Sequence, residues 1–273
     1  MKKLLLVLPA AILAKSSLPL ENLPAKKQGV TRIITIGDSI TQGKCTTDEE
    51  SMSWPGQLSD MLHNNRIIEV VNLANSGRTM MRRGDYPYWN EIQYQLALSS
   101  EADFVFIMLG TNDSKYFQWN ETAYIEDYRA MASSFLAMPS SPKIYFMIPP
   151  PLYQDNAYSM NQRVINSVLP RVIPQIAESL SQPSESVIDI FSEMGGAHLS
   201  EWHLFCNGQN CDTCHPNDAG QAFIAKAVYK QIFITPIPEI GPENYRESMP
   251  GYFDRYLQLN VKIFTFVKEM LGF

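Results

Sequence analysis

A chain of 273 residues that is 45% apolar carries enough hydrophobic side chains for one large domain or two small ones. Its 22 Lys and Arg stand against 28 Asp and Glu, a net charge of −6. Since no basic block of five or more residues occurs, nucleic acid is excluded as an expected partner.

Lys2 and Lys3 precede an apolar stretch, 4–14, broken only by Pro9. This is the pattern of a secretory signal, and it is too short to span a bilayer. Ala14 and Ser16 are small enough to flank a cleavage site, though no clean A-x-A is present. Residues 1–16 are expected to be a signal segment and the protein to be secreted. A buried N-terminal helix or an uncleaved anchor is the alternative.

Short apolar runs and helical stretches then alternate. Runs at 32–36, 67–72, 104–109, 144–148 and 187–190 are rich in Ile, Val or Phe and apolar on successive residues, as strands covered on both faces should be. Helical patterns fill 54–64, 88–98, 121–138, 163–180 and 218–232. Pro170 and Pro174 interrupt the fourth, and Asn217 is a good N-cap for the fifth. The alternation predicts a five-stranded parallel sheet with helices on both faces, a domain spanning about 30–234.

Ligands of such sheets bind at the carboxyl ends of the strands, and the chemically equipped loops fall there. Gly37-Asp38-Ser39 follows the first run and offers a nucleophile; alone it is an ordinary turn or N-cap. Asp38, adjacent in sequence, is expected to brace the loop rather than serve as a triad acid. Gly77, after the second run, lets its own N–H approach a substrate, although a turn glycine is the bland reading. Asn112, after the third, is a side-chain amide available to an oxyanion, or else an Asx-turn residue.

Asp212 and His215 lie three residues apart before the last helix. That spacing lets one turn bring a carboxylate to one imidazole nitrogen while the other faces Ser39. A serine hydroxyl needs such a base, and the base needs an orienting acceptor. The other histidines, His63, His198 and His203, have no matched acid.

In a secreted chain the four cysteines, Cys45, Cys206, Cys211 and Cys214, favour disulfides whose pairing stays open. Zinc held by the cluster 206–215 is the weaker alternative, so neither metal nor cofactor is expected. Asn120-Glu121-Thr122 is the more credible glycan acceptor, since Asn112-Asp113-Ser114 would face the site. Beyond residue 234 a Pro-rich linker leads to a helix-like tail at 252–273 with an apolar stripe. Packing on the body is preferred for the tail over contact with a membrane surface.

Taken in order, Gly37-Asp38-Ser39, Gly110-Thr111-Asn112-Asp113 and Asp212-Thr213-Cys214-His215-Pro216 resemble the sequence blocks of the GDSL esterases, or SGNH hydrolases. Ser39, Gly77, Asn112 and His215 stand for the four letters, and the resemblance runs from about 32 to 232. It departs at Ile40, where the family commonly has Leu, and in the cysteine-bearing loop. The resemblance implies a flavodoxin-like three-layer α/β/α sandwich and ester hydrolysis through an acyl-serine. It also implies an oxyanion hole formed by Ser39 N–H, Gly77 N–H and the Asn112 side chain.

No long hydrophobic lid is evident, which favours short acyl groups such as acetyl on a carbohydrate. Trp54, Tyr86, Tyr88, Trp89, Tyr116, Phe117, Trp119 and Tyr153 are candidates for a sugar-stacking surface, each with core packing as its alternative. A lipase or lysophospholipase is the other enzymatic reading. A binding protein that has lost catalysis is the non-enzymatic one.

Overall fold

The structure is a computed structural model, and it describes residues 23–62, 68–205 and 213–233. Five strands, β1 (Thr31–Gly37), β2 (Ile68–Asn72), β3 (Phe104–Met108), β4 (Lys143–Ile148) and β5 (Val187–Asp189), form one sheet in the order β2-β1-β3-β4-β5. Every pairing is parallel.

Parallel strands need both faces covered, and the pleat divides the apolar residues between two cores. Ile34, Ile36, Val105, Ile107, Ile144, Phe146 and Ile148 point to one side. There they meet α3 (Ile92–Leu98), α4 (Glu121–Leu136) and α5 (Leu169–Ser179) through residues such as Leu96, Tyr128, Phe135 and Ile173. Ile33, Phe106, Met108, Tyr145, Met147 and Ile188 point to the other. They pack on α2 (Trp54–Met61) and α7 (Asp218–Phe233) through Trp54, Leu58, Ile224 and Val228. Stacking of Phe106 on Tyr145, with ring centroids 4.6 Å apart and planes 4° off parallel, fills the centre of that layer. The result is the three-layer sandwich expected.

Three helical stretches differ from their sequence pattern. The stretch 88–98 splits into a 3-10 turn, Tyr88–Asn90, and α3, with Glu91 extended between them at φ −87 and ψ 147. The Glu91 carboxylate is committed to Asn75 and Arg78, and a continuous helix would carry it elsewhere. The prolines do not break the stretch 163–180. Pro170 occupies the first turn of α5, where its missing N–H costs nothing, and Pro174 is accommodated inside the helix. A π-helical turn, Val164–Val168, precedes α5. The helix expected at 54–64 is α2, which ends at Met61 rather than near 64.

The strand order reverses direction beside β1, because the chain goes from β1 to β2 on one side and returns with β3 on the other. In doubly wound sheets the crevice for ligands opens at that reversal, outside the carboxyl ends of the strands. Ser39 immediately follows β1 and Asn112 follows β3, on adjacent strands flanking the reversal. Among the described residues no helix is long and apolar enough to cross a membrane. The segment 1–16 expected to be a signal, His63 and the tail 235–273 lie outside the described residues.

Candidate active site

Ser39 opens the short helix α1 (Ser39–Gln42) as it leaves β1. Asp38 caps α1, its Oδ1 accepting from Ile40 N at 3.0 Å. Gly37 makes the approach possible, because a Cβ there would collide with the Thr41 side chain. Thus Asp38 braces the loop, as its adjacency to the serine suggests.

Ser39 Oγ and His215 Nε2 are 2.8 Å apart, a full hydrogen bond across 176 residues of sequence. Both side chains are buried, yet each keeps a small accessible surface, 6% and 7%. When the hydroxyl donates, Nε2 is the unprotonated nitrogen and Nδ1 carries the proton, the tautomer in which a nearby acid is useful.

The pair is held together from below by Gln221, a fully buried residue in the first turn of α7. Its Nε2 donates to Ile40 O at 2.9 Å and its Oε1 accepts from Trp54 N at 2.9 Å, joining α1, α2 and α7. Asp218 adds a second tie, accepting from Thr47 N at 2.8 Å and from its hydroxyl at 2.7 Å. Asn217 Oδ1 accepts from Gly220 N at 2.9 Å, which makes it the expected cap of the helix behind His215. Tyr153 N donates to Thr213 O at 2.9 Å, so the loop after β4 also anchors the histidine loop.

Asn112 is 4% exposed and its Nδ2 donates to Asp38 Oδ2 at 3.2 Å. Its amide is therefore held by Asp38, the residue that precedes Ser39 and caps its helix. Asp113, fully buried, accepts from Met80 N at 2.9 Å and Met81 N at 2.7 Å and ties the loop after β3 to the loop after β2. Burial pushes the Asp38 carboxyl up to about 6, opposed by the Ile40 N–H and the neighbouring His215. It pushes Asp113 up to about 7, against the two methionine amides.

Gly77 adopts φ +81, the left-handed region that favours glycine, and its Cα face is open, with nothing within 4 Å of where a Cβ would stand. Its loop is fixed on either side. Ser76 N donates to Gln42 Oε1 at 2.8 Å, and Arg78 Nε donates to Glu91 Oε1 at 2.9 Å. Asn75 Nδ2 reaches the other Glu91 oxygen at 2.9 Å.

Several expected residues sort themselves by position. His198 and His203 are exposed, and His203 Nδ1 lies 3.7 Å from Glu201 Oε2. Trp54 and Tyr88 are fully buried core residues, and Trp89 and Trp119 pack against the core. Tyr86, Tyr116 and Phe117 are exposed. Tyr158 was absent from the sequence-derived aromatics, yet its ring stands edge-on to His215 at 5.6 Å. Asp113, Glu91 and Gln221 also escaped the sequence reading; Asp113 alone had a signal, its place beside Asn112. Asp212, Cys206 and Cys211 lie outside the described residues, and with them the acid partner, the disulfide pairing and the zinc alternative.

The GDSL-like lipase/acylhydrolase family model matches residues 35–223. An acetylxylan esterase of Xylanibacter ruminicola is 29% identical over 227 residues, 77% of this chain and 44% of the relative. The chain thus spans less than half the length of that relative. An acetylxylan esterase from Geobacillus stearothermophilus shares the fold with a TM-score of 0.55 at 19% identity, over 76% of this chain and 96% of that one. An aryl esterase of M. smegmatis does so with a TM-score of 0.57 at 20% identity, over 74% and 98%. With a family model covering both Ser39 and His215, the chain belongs to the GDSL-like lipase/acylhydrolase family.

Proposed function

We propose that the protein is a serine esterase that removes short acyl groups, acetyl above all, from carbohydrates. The observation that carries this reading is the 2.8 Å contact between Ser39 Oγ and His215 Nε2 at the ligand-binding edge of the sheet. His215 takes the hydroxyl proton as Ser39 Oγ attacks the ester carbonyl, and Asp212 stabilises the imidazolium. Ser39 N–H, Gly77 N–H and Asn112 Nδ2 receive the oxyanion, each donor worth roughly 10²–10³ in rate at comparable acyl-transfer sites. Collapse of the tetrahedral intermediate expels the sugar alkoxide, which takes the proton from His215. Water, deprotonated by the same imidazole, then attacks the acyl-serine and releases the acid.

The acyl and alcohol parts of the substrate are supported by the relatives, since acetylxylan esterases recur among them. Acetate release from an acetylated xylo-oligosaccharide, compared between wild type and Ser39→Ala, tests the reading. The variant is expected to lose about three orders of magnitude or more in kcat. Equal turnover by both proteins would refute it.

We further propose that the protein is secreted, with its cysteine-rich loop braced by a disulfide. Asn120 is the proposed glycan acceptor; it is exposed at the head of α4, whereas Asn112 and Ser114 are buried. N-terminal sequencing and intact mass of protein recovered from the medium, before and after deglycosylation and reduction, check these three statements.

A further inference from the structure

Three residues in the loop after β4 adopt left-handed backbone conformations without being glycine: Asn156 at φ 62, Tyr158 at φ 53 and Ser159 at φ 64. Asn tolerates that region, but a bulky aromatic does so at a cost and only where its surroundings enforce it. Here they do. Asn156 N donates to Met160 O at 2.9 Å, closing the loop on itself. Tyr116 N donates to Ser159 O at 3.0 Å and Asn161 N to Ser114 O at 3.1 Å, stitching it to the loop that carries Asn112. The Tyr116 hydroxyl donates to Asp155 at 2.8 Å on the same segment.

The consequence of this forced conformation is the position of one ring. Tyr158 stands edge-on to the His215 imidazole, with centroids 5.6 Å apart and planes at 72°, and it is 56% exposed. An aromatic side chain left half in water beside a reacting pair is not filling a core. The side of the site matters too. His215 returns its proton to the leaving alkoxide, so whatever adjoins His215 adjoins the alcohol portion of the ester rather than the acyl portion.

We propose that Tyr158 is the specificity-determining wall of the alcohol subsite, where the apolar C–H face of the sugar ring bearing the ester packs against its aromatic face. This rests on the carbohydrate-ester reading above and adds to it the residue that selects a ring-shaped alcohol. A saccharide ring pairs an apolar face with a hydroxylated rim, which suits an aromatic surface that is apolar on its face and wet at its edge.

The test uses Tyr158→Asn, which removes the ring but keeps a residue comfortable at positive φ, and Tyr158→Phe, which keeps the ring. Each is assayed on an acetylated xylo-oligosaccharide and on ethyl acetate, whose alcohol has no ring. Tyr158→Asn is expected to lose about tenfold or more in kcat/KM on the oligosaccharide, chiefly in KM, and less than about threefold on ethyl acetate. Tyr158→Phe is expected to stay within about twofold of wild type on both. Equal losses on the two substrates would overturn the proposal, because the ring would then act only by orienting His215; so would no loss on either. Wild type that cleaves ethyl acetate but not the oligosaccharide would instead defeat the carbohydrate reading itself, an outcome separable from the first two.

Discussion

Asp38 Oδ2 accepts from Asn112 Nδ2 at 3.2 Å, so the residue preceding Ser39 fixes the Asn112 amide. One carboxylate thereby serves two parts of the site, capping α1 through Oδ1 and aiming Asn112 through Oδ2. Removing it as Asp38→Ala is expected to lower kcat by about tenfold or more while leaving KM nearly unchanged, since the oxyanion forms only after binding. Steady-state kinetics on a small acetyl ester provide the check. A change confined to KM would contradict a positioning role.

Gln221 makes a separable prediction. In Gln221→Leu the Trp54 N–H loses its partner in a buried place, at about 1–3 kcal/mol, while the Ile40 carbonyl keeps only Gly43 N at 3.3 Å. The melting temperature should fall accordingly. Because the same two bonds tie α7 to α1 and α2, kcat should also drop several-fold at temperatures far below melting. Lower stability with unchanged kcat would show Gln221 to be structural only.

Much of the fold was legible because a strand buried on both faces has no polar alternation, and the runs at 104–109 and 144–148 could be little else. The pairing of Ser39 with His215 was legible as well, since few residue types suit a proposed nucleophile and base and each sits next to a strand end or helix start. Long-range hydrogen bonds left no such mark. Nothing in the local pattern around Glu91 says that its carboxylate reaches back to Asn75 and Arg78, and that commitment is why the helical period predicted at 88–98 breaks at Glu91. Tyr158 was hidden for a similar reason. Its neighbours are small and polar, and only the stitching to the loop after β3 turns it toward His215.

Stability should depend on pH through the two buried carboxylates. Asp38 and Asp113 titrate at about 6 and about 7 in the folded protein, against 3.8 ordinarily, because burial disfavours their charged forms. Between about pH 4 and 7 the folded chain therefore holds protons that the unfolded chain has released, and stability falls as pH rises through that window. Urea midpoints measured from pH 4.5 to 8 should decline from this contribution, and Asp38→Asn should flatten the slope around pH 4 to 6. An unaltered slope in the variant would contradict a raised Asp38.

In the proposed mechanism Ser39 is a nucleophile activated by His215. Mass spectrometry of the protein after treatment with a fluorophosphonate reads this directly, because the reagent captures an activated serine. One adduct is expected, on the peptide containing Ser39, its formation slowed by about 10³ or more in His215→Ala. A wild-type protein left unmodified at Ser39, or modified at the same rate without His215, would contradict it.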